Sequence, residues 1–581
     1  IQHRLFRTDR ASHRLSLQKS QVVNNAKKKE PQTNIPPKLW GHLIPPMPVV
    51  TSTIYRHYAK GPPAKSWSLT FDLAVAILSD FLKRSSNKTV EDLQQLSTIK
   101  GAPVPSDMKR RKVFIPNDYR VRASNHLGCL FNAEDEELIG WDWKSDKKGA
   151  NELKGEWMIS KKTINNIKNN DDIDVSDSSG AKKAVLPLKN KRTIFYLHGG
   201  AYYLGSYSLY RSLLARLAKL SDSQTFAINY RLAPQHPFPV AVEDALAAYL
   251  YMVDPPEGIE PIDPKSIVIA GDSAGGGLTF SLLLTLRDAG LPLPGGAMTL
   301  SPWIDLTHSF DSIINNISTD FLPPMGFKHV LSDAQDYTLL PPLTKRTSQA
   351  SMGSFPDDDL DRFQFYAANR TLKLPLVSPV FDKKSLHGLP KLLIQTGTAE
   401  RLHDESVYAA LLASNTFSSS SSTTDTRKNN NDNEKNQQLQ QPTDVILEMY
   451  VDQPHVFQIL LPTRPSTCAI KRLANFVRDV TTVNDNDKEK LNKEEQSVLK
   501  VQTISPRGKV TETKQELLKE FKDGSKWADW QNRLARKTLR ERLEEVEAAV
   551  VKIKNEDPPH DPHQPHHSPQ PSISLSSKAP S

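Results

Sequence analysis

Four stretches of the sequence hold the residue types that nucleophilic acyl chemistry needs. The first is Gly271-Asp272-Ser273-Ala274-Gly275, a Gly-x-Ser-x-Gly turn. A serine hydroxyl is a weak nucleophile. It needs a base to take its proton, a group to orient that base, and N–H donors for the oxyanion that forms. The base candidate is His455, in Tyr450-Val451-Asp452-Gln453-Pro454-His455. The acid candidate is Glu400, in Gly397-Thr398-Ala399-Glu400. Asp404 is the alternative acid, although an acidic residue at the start of a helix also serves as a cap. Donors are expected from His198-Gly199-Gly200-Ala201, where the backbone N–H groups of Gly199, Gly200 and Ala201 could turn inward, together with that of Ala274. His198 itself reads as a residue that holds the loop. Each motif taken alone has a plain alternative: a glycine-rich turn with an incidental serine, or one surface histidine among sixteen.

Their placement gives them weight. Ser266 to Ala270 is apolar without alternation, the pattern of a strand buried on both faces. Leu278 to Arg287 reads as a helix, stopped by Gly290 and Pro292. Glycines at 271 and 275 let strand and helix approach closely. The serine between them then stands at a helix N-terminus, where free N–H groups favour a developing anion. Thr193 to Leu197 is a strand that runs into the donor loop. A helix over Tyr210 to Leu220 and a strand over Thr225 to Tyr230 follow. A helix over Ala241 to Met252 and strands over Ala297 to Ser301 and Lys391 to Thr396 continue the series. A helix over Ser406 to Ser414, a last clear strand over Asp444 to Tyr450 and a helix over Ile470 to Val480 complete it. Alternating strands and helices predict a doubly wound, mostly parallel sheet, and each candidate lies just past a strand end, where such sheets bind ligands.

The 581 residues leave room for more than this body. The hydrophobic share is 38% and the mean hydropathy is −0.50, so polar extensions dilute a real core. Residues 1–35 read as a basic disordered arm. Nine Lys/Arg against two Asp/Glu over residues 1–40 account for most of the net charge of +9. Residues 36–160 hold five tryptophans and read as an ordered N-terminal accessory segment, with a helix over Ser68 to Arg84 and another near Leu93 to Leu96. Edge strands are expected over Lys112 to Ile115 and Gly155 to Ile159. Residues 161–192 read as a flexible loop, and 193–481 as the catalytic body. Within that body, 308–370 lacks periodicity and is a candidate lid, and 417–442 is low-complexity surface sequence. Residues 482–512 read as linker. The stretch 513–555 reads as an amphipathic helix whose Leu539, Leu543, Val546, Val550 and Ile553 form a seam extended by Trp527, Trp530 and Leu534. That seam could self-associate, bind a partner or lie on a membrane, and docking on the body is the preferred reading. Residues 556–581 are a Pro/His/Ser-rich tail expected to be disordered.

Composition excludes several classes. Two cysteines, Cys129 and Cys468, build neither a disulfide framework nor a cysteine-rich zinc site, which fits a reducing compartment. No run of eighteen apolar residues is present. The basic arm lacks the interleaved aromatics of single-strand binders, so no nucleic-acid partner is expected.

One ordered set of motifs resembles a known family. It comprises His198-Gly199-Gly200, Asn229-Tyr230-Arg231-Leu232-Ala233-Pro234, Phe238-Pro239, Glu243-Asp244, Gly271-Asp272-Ser273-Ala274-Gly275-Gly276, Ser301-Pro302-Trp303 and Pro454-His455-Val456-Phe457. Together they look like the hormone-sensitive-lipase-like branch of the α/β-hydrolase superfamily, which includes carboxylesterases, lipases and arylacetamide or steryl-ester deacetylases. The resemblance spans roughly 193–480. It implies Ser273 as nucleophile, His455 as base and Glu400 as acid, with the His-Gly-Gly loop as oxyanion hole and a cap formed by 36–160 with 308–370. The chain departs from the family pattern in Ala201, where a third glycine is usual, and in Glu400, where aspartate is usual. Tyr202, Tyr203 and Phe238 are candidate walls of the substrate pocket, or core. The expected activity is cofactor-free and metal-free hydrolysis of small-molecule or lipid esters, in the cytoplasm or at the surface of a membrane or lipid droplet. The rival reading is a non-catalytic scaffold of the same fold that acts through its C-terminal helix and tails.

Overall fold

A computed structural model of the chain describes residues 47–99, 101–145, 153–169, 187–189, 191–329, 363–417, 441–481 and 498–556. Ten strands form one sheet in the order β1-β2-β4-β3-β5-β6-β7-β8-β9-β10. They are β1 Met108–Ile115, β2 Leu153–Ser160, β3 Thr193–Leu197, β4 Gln224–Asn229 and β5 Ile267–Asp272, followed by β6 Gly296–Leu300, β7 Leu392–Gly397, β8 Val445–Tyr450, β9 Leu499–Ile504 and β10 Val510–Glu512. Pairing is parallel from β4 through β9 and antiparallel at both ends.

Strand residues point alternately to opposite faces. In β3 and β5, Ile194, Tyr196, Val268 and Ala270 pack beneath the helices Arg211–Ser221 and Arg464–Val480. Their neighbours Phe195, Leu197, Ile267 and Ile269 pack beneath Val240–Val253, Ala274–Asp288 and His403–Ala413. Helices on both faces explain why these strands read as unbroken apolar runs. Register brings the C-terminal strand ends level: Leu197 lies opposite Gly271, and Gly397 opposite Tyr450. The loops after β3, β5, β7 and β8 therefore open on one edge of the sheet.

The accessory segment contributes more than edge strands. β2 lies inside the sheet between β1 and β4, with Trp157 buried and stacked on Phe226. The helices that precede it include Met47–Ala59 and Leu69–Ser85. The second is capped by the Ser68 hydroxyl, and its buried Asp72 pairs with Arg56 and His57 of the first. Trp67, Phe71 and Val75 pack against Phe321 and Ala399, so this segment rests on the loops at the sheet edge.

Several readings of the sequence need correction. The segment expected to be a loop from 161 begins with a helix, Lys161–Asn169, whose Ile164 is buried. The segment read as linker contains β9 and β10, whose apolar alternation is too brief to register by itself; Leu499 and Val501 are buried against β8. β8 is consequently not the last strand. The single helix expected over 513–555 is three helices, Lys514–Lys519, Ser525–Arg536 and Leu539–Glu556, with Gly524 left-handed at the first break. Its seam is turned inward: Trp530, Leu539 and Val546 are buried in the main core, and Trp527 stacks on Tyr408 at 4.7 Å. Those residues are covered by the chain's own body. The described part of 308–370 holds one short α-helix, Ser312–Asn315. The arm 1–35, residues 418–440 of the low-complexity stretch and residues 557–581 of the tail lie outside the described residues.

Candidate active site

Ser273 sits between β5 and the helix Ala274–Asp288 with φ +52° and ψ −123°, a strained conformation for a residue with a Cβ. Three backbone bonds over-determine it: Ser273 N–H donates to Leu300 O (2.9 Å), and Ser273 O accepts from Trp303 (2.9 Å) and Gly277 (3.0 Å). The flanking glycines are required by contact. A Cβ on Gly271 would lie 2.2 Å from Gly275 O, and one on Gly275 would lie 2.1 Å from Leu197 O.

His455 reaches Ser273 from the loop after β8. Its Nε2 lies 2.9 Å from the Ser273 Oγ, a distance that fits the hydroxyl donating to a neutral ring. The ring is buried, and desolvation with the nearby Arg401 charge holds it down to about 3, so it is unprotonated at neutral pH.

Glu400, just past β7, is fully buried. Its Oε2 accepts from the Ser301 hydroxyl (2.6 Å) and its Oε1 from the Thr396 hydroxyl (2.6 Å). The Ser301 Oγ in turn accepts the Val456 N–H at 3.0 Å, which links the acid to the residue next to the base. The His455 Nδ1 has no hydrogen-bond partner among the described residues. The structure thus brings Ser273 and His455 into direct contact, and joins Glu400 to the base loop through Ser301 rather than through Nδ1. Burial, with a contribution from the Asp320 charge, raises the Glu400 carboxyl to about 8. Asp404 is engaged elsewhere: its Oδ2 accepts the Ser312 N–H at 2.8 Å.

The donor loop divides differently from the expectation. The Gly199 N–H is directed to Asp272 Oδ1 (2.9 Å) and the Tyr210 hydroxyl (3.1 Å). It is therefore not a donor for a reacting group, because the turn at 199 faces the buried Asp272 carboxylate. Gly200 and Ala201 line the same cavity as Ser273 and His455, and no backbone acceptor takes their N–H groups among the described residues. Ala274 begins its helix, so its N–H belongs to the orphan first turn. Ala201 adopts φ +50°, the left-handed region that glycine tolerates best. His198 stacks on Tyr230 at 4.3 Å, and its Nδ1 lies 2.7 Å from Gly199 O, a loop-holding role.

The cavity over Ser273 measures about 240 Å³. Its walls are mainly apolar: Leu78 and Leu82 from the accessory helix, and Phe321, Leu322, Phe327 and Phe363 from the stretch expected to be a lid. Tyr203 lines it, with its hydroxyl 3.0 Å from His329 Nε2. Tyr202 does not, contrary to expectation. Its φ of +62° turns the ring behind the cavity, onto Tyr366 at 3.6 Å. Phe238 is likewise core, packed on Phe131 and Tyr366. Polar residues in the wall include Asp272, His308 and Arg401, and burial holds the His308 ring down to about 3, so it is neutral.

Sequence reasoning passed over Ser301, Asp320 and Arg401. Ser301 stood only within Ser-Pro-Trp, and its φ of +48° gave no signal. Asp320 lies in aperiodic sequence with no pattern to mark it.

Residues 194–336 match the family model described as alpha/beta hydrolase fold. An acetyl-hydrolase of Streptomyces hygroscopicus is 36% identical over 215 residues, which cover 37% of this chain and 59% of that protein. An esterase of Acinetobacter venetianus is 32% identical over 213 residues, 37% of this chain and 58% of that one. An arylacetamide deacetylase of Bos taurus is 44% identical over 102 residues, 17% of this chain and 25% of its own length. The chain thus spans a little under three fifths of the first two relatives. The fold is that of an α/β hydrolase.

Proposed function

With an α/β-hydrolase domain as the premise, we propose that this chain is a serine hydrolase of carboxylic esters with apolar acyl or alcohol groups. The observation that carries the reading is the 2.9 Å contact between His455 Nε2 and Ser273 Oγ at the floor of an apolar cavity. The Ser273 oxygen attacks the ester carbonyl carbon while its proton passes to Nε2. The carbonyl oxygen becomes an oxyanion facing the N–H groups of Gly200, Ala201 and Ala274. The tetrahedral intermediate collapses, and the alcohol departs with the proton from Nε2. Water then attacks the acyl-serine and gives its proton to the same nitrogen, and that proton passes to the Ser273 oxygen as the acid is released. Glu400 is the assigned acid. As Nε2 gains its proton the imidazolium needs a carboxylate, and Glu400 is tied to the base loop through Ser301.

Turnover of p-nitrophenyl butyrate that disappears in Ser273→Ala supports the assignment; an unchanged rate sinks it. Labelling by a fluorophosphonate separates an enzyme from a scaffold of the same fold, since a scaffold does not react.

A second reading concerns location. On the helix Met47–Ala59, Met47, Ile54 and Tyr58 share one face and are 69%, 37% and 76% exposed. The sequence just before it carries the basic excess of residues 1–40. An apolar stripe beside basic residues suits the surface of an anionic membrane or lipid droplet. Among the described residues no helix is long and apolar enough to cross a membrane. Flotation with phosphatidylserine vesicles should be lost in Ile54→Asp/Tyr58→Asp, and equal flotation of that variant removes the reading.

A further inference from the structure

Residues 312–324 lie along the acid loop and are bonded to it almost step by step. Ser312 Oγ donates to Arg401 O (2.8 Å), Asn316 Nδ2 to Glu400 O (2.7 Å), and Thr319 Oγ1 to Ala399 O (2.8 Å). The Arg401 guanidinium returns the grip, donating to Ile313 O (2.7 Å), Pro323 O (3.0 Å) and Pro324 O (3.2 Å). So dense a set of bonds describes a brace.

Asp320 sits at its centre, 5% exposed. Its Oδ2 accepts the N–H of Arg401, the residue after the acid, at 2.7 Å, and its Oδ1 accepts its neighbour Phe321 N–H, also at 2.7 Å. The backbone amide of His455, on the base loop, also faces this carboxylate and favours its charge. One buried carboxylate therefore faces amides from both the acid loop and the base loop. We propose that Asp320 is a positioning residue for the reaction, tying those two loops together and so fixing the separation of Glu400 from the His455 ring. The inference rests on the assignment of Ser273, His455 and Glu400. It asks nothing of Asp320 toward substrate, because its contacts are with backbone. The chemistry is specific to a carboxylate. An asparagine of the same shape would offer one acceptor and one NH₂ donor, and that donor would meet an amide N–H head-on.

The test is Asp320→Asn in the full chain, with p-nitrophenyl butyrate as substrate and circular dichroism to follow the fold. The expected result is a fall in kcat of about 10- to 100-fold, with KM changed less than about 3-fold, the scale of a small misplacement of reacting groups. A second readout is the pH at which kcat rises. The Asp320 charge helps raise Glu400, whose own charge in turn raises Glu405, so removing Asp320 moves that rise to lower pH. Unchanged kcat and pH profile overturn the proposal. So does a loss shared by kcat and KM that tracks a lower Tm, since a merely structural role predicts that. If Asp320→Asn does not fold, Asp320→Glu carries the test. The extra methylene displaces the carboxylate from both amides and should lower kcat several-fold at unchanged KM; a wild-type kcat there also overturns the proposal. Failure of the wild-type chain to react with fluorophosphonate is a different result. It removes the hydrolase reading itself.

Discussion

The turn that carries Ser273 and the loop that carries Glu400 hold their residues by opposite means. The turn is nearly self-contained. Two glycines let β5 and the following helix close to contact, and backbone bonds fix the strained serine. The acid loop is held from outside. Its carbonyls and amides are taken up by a segment some eighty residues earlier in the chain, and its carboxylate is fixed by Ser301 and Thr396. A nucleophile can thus be placed by local sterics, whereas the pairing of acid with base depends on bonds between distant segments.

Ser273→Ala is the severest test of the first half. It leaves the turn's sterics intact, so p-nitrophenyl butyrate hydrolysis should fall by about 10⁴-fold or more with Tm within about 2 °C of wild type. Glu400→Gln should lower kcat by about 10²- to 10⁴-fold, measured with the same substrate. It also has a pH signature. The folded carboxyl stands at about 8, above its unfolded value of 4.5, so its protonated form favours the fold. That contribution is complete below the unfolded value and fades as pH rises through about 8. Thermal melts of wild type should lose stability across that interval, and the Gln variant should show a shallower slope. Ser301→Ala strands both the Glu400 Oε2 and the Val456 N–H. We expect a stability loss of about 1–3 kcal/mol in urea melts, and a kcat lower by about 10-fold. Asn316→Ala removes two bonds of the brace, to Glu400 O and Thr398 O, without touching the acid's carboxyl. A drop in kcat of about 3-fold at constant KM is expected from the loss of these bonds, and no drop at all would make the acid loop as self-sufficient as the turn. Asp404→Asn, aimed only at Ser312, should leave kcat within about 2-fold.

The same contrast explains what could be read from the residues alone. β3, β5 and β7 are apolar runs bounded by glycine or polar turns, and their identity follows from composition over five or six residues. Ser273, His455 and Glu400 each follow such a run, so their order was legible. Gly199 and Tyr202 were misassigned because their roles turn on which way a peptide or ring faces. The Asp272 carboxylate claims the first, and the Tyr366 ring claims the second. Asp320 and Ser301 were invisible for the reason that makes them interesting: their partners on the acid and base loops lie 81 to 155 residues away in sequence. Two of the three C-terminal helices were read as continuous because the apolar seam from Trp527 to Ile553 runs across the break after Arg536, while the chain turns back onto its own aromatics.

β9 and β10 bear on how this protein should be handled at the bench. By its motifs the hydrolase body is complete at Val480, and sequence alone would favour an expression fragment ending there. That fragment would lack β9, which pairs with β8 along all six residues from Val445 to Tyr450. β8 would become a bare edge, presenting a row of unsatisfied amides and carbonyls to any neighbouring molecule. The strand so exposed leads directly into His455. Such a fragment should clump edge to edge during expression, while a boundary placed after Glu556 keeps the sheet capped and the base in register.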